Sequence, residues 1–258
     1  MEDKEKQIIS KKRVTDHGEV MTARREVDAM LDLVKQETER IESRFLEPAC
    51  GTGNFLIAIL ERKLAVIERK LARQEKRLKN AEKRPGWKGP AYEPDALLAL
   101  SSIYGIDILQ DSIDAAKSRL LGYFTESYLR IVGEEIPPAV ADAAKFILDK
   151  NILLGDAINT QDRVTIPGVP GLDKIVFTEW SRIGSDFKRR EFRFDALPLD
   201  GAEAENAPEQ ETDDLFGATA PATHHVLKTD TGKEIMKPIP VREYPLTHYT
   251  RIAKKGAH

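Results

Sequence analysis

The chain has 258 residues, a formal net charge of −3, 32% charged residues and one cysteine. That length supplies a sizeable core for one large domain plus appendages. The lone Cys50 excludes a disulfide framework or a cysteine-rich zinc site. No apolar run is long enough to span a membrane, and the charged opening "MEDKEKQIISKKRV" predicts no secretion leader and a cytoplasmic location.

In chain order, Val27, Met30, Leu31 and Val34 recur at helical spacing and predict an amphipathic helix over 24–41. "RFLEP" is a short apolar run stopped by Pro48, the pattern of a buried strand ending at a turn. Behind the glycines of "ACGTGNFL", a helical arm is expected over 54–84, ended by Pro85 and Gly86. Its Leu60, Leu64, Ile67, Leu71 and Leu78 follow a heptad seam, read as the face of an arm that packs on a partner helix. A solvated helix with a single apolar stripe is the competing reading. "SIYGIDIL" predicts a second strand, followed by a helix with Asp111 as cap and an acidic first turn. "AVADAAKFILDK" adds a helix, "NILLGDAI" a third strand, and "KIVFTEW" and "FRFDAL" a fourth and fifth. Strands alternating with helices predict an α/β fold, a doubly wound, mostly parallel sheet with helices on both faces.

Charge is segregated along the chain. From Glu61 to Lys88 eleven basic residues face four acidic ones, whereas Asp200 to Asp214 holds seven acids and no base. The acidic stretch lacks apolar periodicity and is expected to be a disordered linker over 199–222, separating a domain over 1–198 from a basic tail over 223–258. That tail interleaves seven basic residues with Tyr244 and Tyr249, a composition suited to phosphates and bases. A hairpin around "TDTGKE" with a frayed basic end accounts for it equally simply. His224 and His225 have no third ligand at suitable spacing, so no metal is assigned.

The chemistry is expected beyond the carboxyl ends of the strands, where a strand–turn–helix unit presents backbone N–H groups. Gly51 and Gly53 occupy that place, but Leu56 stands where a dinucleotide fingerprint needs its third glycine. Asp107, ending the second strand, could hold a ribose, and Asp156, following the third, could accept from an exocyclic amine. A turn for an amino-acid end, a carboxylate for a ribose and a polar group for a base describe a nucleoside-sulfonium cofactor.

"FLEPACGTGNFL", "YGIDIL" and "NILLGDAI", in that order, resemble the cofactor half of the adenine-N6 DNA methyltransferases of restriction-modification systems. The stretch Gly18, Glu19, Val20, Met21, Thr22, Ala23 resembles the segment that in this family closes over the methionine end of S-adenosylmethionine, with Met and Ala in place of Phe and Pro. The resemblance covers about the first two-thirds of the chain. It implies a Rossmann-like methyltransferase fold, S-adenosylmethionine as cofactor and DNA as partner. It also implies a cofactor site of Thr22, Glu47, Pro48, Ala49, Gly51, Gly53, Asp107, Ile108, Asp156 and Ala157, with Thr22 contacting the methionine carboxylate and Glu47 organising the turn.

The family's catalytic tetrapeptide, Asn/Asp-Pro-Pro-aromatic, is not found. Such a motif accepts from the target amine and stacks on a flipped base. Asn206-Ala207-Pro208 lacks the second proline and the aromatic residue, and Pro137-Pro138 follows Ile136. Three readings stay open. The chain completes its site by another route, with Glu179 and Trp180 of "FTEW" as the weak catalytic candidates. Alternatively it is the cofactor-binding subunit beside a second methyltransferase or restriction subunit. Finally, it is a non-catalytic S-adenosylmethionine-binding regulatory or interaction module.

Overall fold

A computed structural model describes residues 22–79, 92–157, 175–194, 224–228 and 234–254. The described part is a mixed α/β structure with a parallel three-stranded sheet and a separate antiparallel sheet. The expected linker over 199–222 and the segment Gly18–Met21 lie outside the described residues.

The amphipathic stretch forms α1 (Arg24–Leu33), followed by a single short turn, α2 (Lys35–Thr38). The expected helix over 24–41 is therefore broken at Val34, whose φ of −117° and ψ of 32° leave helical geometry. Next come β1 (Phe45–Glu47), α3 (Asn54–Lys79), α4 (Tyr92–Ser101), β2 (Ile103–Asp107), α5 (Gln110–Val132), α6 (Pro138–Asn151) and β3 (Ile152–Leu154). The three strands pair in parallel in the order β1-β2-β3, in register Phe45 with Ile103, Glu47 with Gly105, and Gly105 with Ile152. Parallel pairing requires crossovers, and the helices between the strands supply them.

Alternation along β2 divides the core. Ile103 joins the large cluster built by the helices, which includes Leu56, Leu60, Leu97, Ile113, Leu120 and Ile147. Tyr104 and Ile106 point to the opposite face and pack with Ile175, Phe177 and Phe194. Those residues belong to or flank the antiparallel hairpin of β4 (Val176–Ile183) and β5 (Asp186–Arg193), turned at Gly184 with φ +63°. The expected fourth and fifth parallel strands are thus corrected: they form a hairpin. A two-residue turn between two runs of eight allows only antiparallel pairing. Helices on both faces are likewise not met among the described residues, because hairpin side chains cover the second face.

The seam of α3 packs on helices of this chain: Leu60, Leu64 and Ile67 are fully buried and Leu71 packs against the same cluster, while the Leu78 side chain lies outside the described residues. The tail contributes a hairpin, β6 (His224–Lys228) with β7 (Glu234–Pro238), and two short strands, β8 (Arg242–Glu243) and β9 (Thr247–His248), which both pair with β5. Tyr249 and Ile252 then reach the main core, so residues 249–252 are part of the fold.

Candidate cofactor site

The site begins where β1 runs out. The Cys50 N–H donates to the Ile106 carbonyl at 2.9 Å, which lashes the turn to the neighbouring strand, and the Gly53 N–H donates to the Cys50 carbonyl at 2.8 Å. Gly51 and Gly53 have φ of +50° and +87°, the left-handed region that an L side chain rarely adopts. Their surroundings differ. A Cβ on Gly51 would meet nothing within 4 Å, whereas one on Gly53 would lie 3.2 Å from Ala116 Cβ on α5. Gly51 therefore faces open space, and Gly53 allows α5 to close on the turn.

Asp107 is central to this arrangement. Its Oδ2 accepts from the Gly51 N–H at 2.8 Å and its Oδ1 from the Leu109 N–H at 2.9 Å, while its carbonyl accepts from the Gly155 N–H at 2.9 Å. One residue thereby fixes the glycine turn, the start of α5 and the end of β3. Each carboxylate oxygen keeps acceptor capacity for a further donor, such as a ribose hydroxyl. The expectation that Asp111 caps α5 is corrected: the N-cap is Leu109, and Asp107 satisfies its N–H.

Glu47 ends β1 and accepts weakly from the Ala49 N–H at 3.4 Å. Burial raises its carboxyl above the usual range, opposed by that amide. Asp156 and Ala157 follow β3 directly, and Ile108 is exposed just past β2. Glu47, Asp107 and Asp156 thus stand at or just beyond the carboxyl ends of three adjacent strands, and Pro48 and Ala49 are exposed at the turn's entrance. Thr22 is drawn to the same place, because the Asn54 side-chain amide donates to the Thr22 carbonyl at 3.0 Å. Hydrogen bonds thus link Thr22, Gly51 and Asp107 at the glycine turn, whereas Asp156 and Ala157 follow β3, which is not adjacent to β1, and Ala157 packs with the hairpin-side cluster. Cys50 is buried, and burial pushes its thiol up to about 12, reinforced by Asp107 and Glu47, which disfavours the thiolate form.

Glu179 and Trp180 do not converge. Neighbours on a strand point to opposite faces, and the two part accordingly. The Trp180 indole is 5% exposed, packs edge-on to Phe146 and Phe187, and donates from Nε1 to Asn151 Oδ1 at 3.1 Å. Asn151 in turn donates to the carbonyls of Ser101 and Ile103. Glu179 lines a half-open cleft of about 230 Å³ with Leu46, Tyr104, Phe177 and Phe192, and forms ion pairs with Arg44 and Arg190. As placed, the Trp180 ring has no free face for a base.

Four of the basic residues of α3 are engaged inside the molecule. Arg62 pairs with Asp28 and Asp32, Arg69 with Glu39, and Lys70 with Asp95. Lys63 is fully buried; its ammonium donates to the carbonyls of Arg40, Ile41 and Ser43 and to the Ser102 hydroxyl. Burial pushes it down to about 7. In the tail, Tyr244 is buried with the Arg189 guanidinium 3.3 Å from its ring centroid, which removes it from the exposed aromatics. Among the described residues, no group of three His, Cys, Asp or Glu side chains could hold a metal ion, and no helix is long and apolar enough to cross a membrane.

Sequence reasoning missed three supporting residues: Arg119 at the glycine turn, and Lys63 and Asn151 at the amino ends of the strands. Each acts on backbone atoms distant in sequence, for which no local pattern gives a signal. No family model matches the chain, no curated protein matches it, and no solved structure matches it.

Proposed function

We propose that the chain binds S-adenosylmethionine at the carboxyl ends of β1–β3 and is an adenine-N6 DNA methyltransferase, or its cofactor-binding subunit, of a restriction-modification or phage-defence system. The observation that carries this reading is Asp107, whose carboxylate fixes the open Gly51 turn while standing at the end of the adjacent strand. A strand-end carboxylate beside a glycine turn suits a ribose next to an amino-acid end, and Asp156 one strand further suits the adenine amine. The parallel three-stranded sheet with its crossover helices supports reading the fold as the cofactor half of a Rossmann-like methyltransferase. DNA would be the substrate, and a second methyltransferase or restriction subunit the partner that supplies the base-binding motif.

The burial of Trp180 favours the subunit form, or a non-catalytic S-adenosylmethionine-binding module, over catalysis by this chain alone. Two measurements test the proposal. Calorimetric titration with S-adenosylmethionine should show saturable uptake that Asp107→Asn weakens; no uptake refutes it. Labelled methyl transfer to unmethylated DNA, assayed as N6-methyladenine, should give no product from the isolated chain; product would restore Glu179 as the first residue to substitute.

A further inference from the structure

Arg119 lies on α5 one turn beyond Ala116, so both face the glycine turn. Its Nη1 donates to the Thr52 carbonyl at 2.6 Å and to Asn54 Oδ1 at 2.9 Å, with Thr52 Oγ1 at 3.1 Å. The opposite side of the Asn54 amide donates to the Thr22 carbonyl. An unbroken path thus runs from α5 through the turn to the segment preceding α1. The asparagine is suited to its place, since it accepts from the guanidinium and donates to a carbonyl at once.

The turn has two limbs held by different residues. Gly51 is fixed by Asp107, whereas Thr52 and Asn54 are fixed by Arg119 and joined to Thr22. We propose that Arg119 is a positioning residue that sets the Thr52–Asn54 limb and, through Asn54, the Thr22 strap, for the methionine end of the cofactor alone. This rests on the S-adenosylmethionine reading and assigns the two ends of that ligand to two separately supported limbs. Arg119 is exposed, so its bonds add little to global stability and its effect is confined to the turn.

Two probes separate the ends: S-adenosylhomocysteine carries the amino-acid end, and 5′-methylthioadenosine lacks it. Calorimetric titrations on the full chain compare the wild type, Arg119→Leu, Arg119→Lys, Asn54→Ala and the Arg119→Leu/Asn54→Ala double variant. Arg119→Leu should weaken S-adenosylhomocysteine about tenfold, the scale of lost charge-assisted hydrogen bonds, and leave 5′-methylthioadenosine unchanged. Arg119→Lys should recover part of that loss. On the Asn54→Ala background, Arg119→Leu should add little, because both substitutions cut one path. Melting temperatures within about 2 °C of the wild type are expected for a change at an exposed site. The inference is overturned if both probes weaken together, if neither does, or if the Arg119 and Asn54 losses simply add. If the wild type binds neither probe, the cofactor reading itself fails and this inference with it; binding of both without selectivity in the variants overturns only the role of Arg119.

Discussion

Gly105→Ala tests how tightly the glycine turn is built. Gly105 lies mid-strand in β2, paired with Glu47 and Ile152, on the face turned toward the helices. A Cβ there would fall 2.9 Å from Cys50 Sγ, 2.9 Å from Leu56 Cδ1 and 3.1 Å from Cys50 Cβ. Cys50 cannot retreat freely, since its N–H is bound to Ile106 and the next residue is Gly51. Leu56 is fully buried in the helix cluster. Overpacking of this kind costs about 1–3 kcal/mol, while replacing glycine at an ordinary φ returns up to about 1 kcal/mol through the unfolded chain. The net expectation is a loss of about 1–2 kcal/mol, or a melting temperature lower by about 2–8 °C for a chain of this size. The damage should reach function, because the displaced atoms belong to the turn itself. Cofactor affinity should fall as well, and Cys50→Ala in the same chain should recover part of both losses by removing Sγ. A Gly105→Ala variant that melts and binds like the wild type, or one that Cys50→Ala does not help, refutes the close packing of strand and turn.

Three further outcomes are expected. Burial lowers the Lys63 ammonium from 10.5 to about 7, so between these values the unfolded chain retains a proton that the folded chain releases. Stability should therefore rise with pH from about 7 toward 10, and Lys63→Met should lack that increment; parallel melting-temperature profiles for the two proteins would contradict the assignment. Asp107→Asn keeps one accepting oxygen but turns an amide toward a backbone N–H, leaving a donor unmatched, and should cost about 1–3 kcal/mol in chemical denaturation. Unchanged denaturation would show that the carboxylate does not brace the turn. Trp180→Phe removes the donor to buried Asn151 Oδ1 and should cost about 1–2 kcal/mol while leaving cofactor affinity intact; a selective loss of affinity would return Trp180 to the site.

The glycine turn and the strand-end carboxylates were legible because their signals are local. Positive φ at Gly51 and Gly53, and carboxylates at or after strand ends at Glu47, Asp107 and Asp156, follow from short runs of sequence whose strand and turn propensities agree. The helices α1, α3, α5 and α6 were visible for the same reason, through apolar residues at helical spacing. The direction of β4 and β5 was not, because the expected strands "KIVFTEW" and "FRFDAL" left a long connection between them, whereas the strands run to Ile183 and from Asp186 and leave a two-residue turn that pairs them antiparallel.

The identities of the supporting residues were equally hidden. Arg119 and Lys63 read as ordinary members of charged helices and Asn151 as the first residue of a strand, and their roles arise from backbone atoms 20 to 67 positions away. The heptad seam of α3 asked for a partner helix without naming it, and folding brings Leu60, Leu64 and Ile67 onto this chain's own helices and sets Arg62, Arg69 and Lys70 against its own carboxylates. Sequence determined which segments can bury an apolar face and where the backbone must turn, since both depend on nearest neighbours. What each face is buried against, and which charges are neutralised, depends on distant segments meeting, and tertiary structure alone decided it.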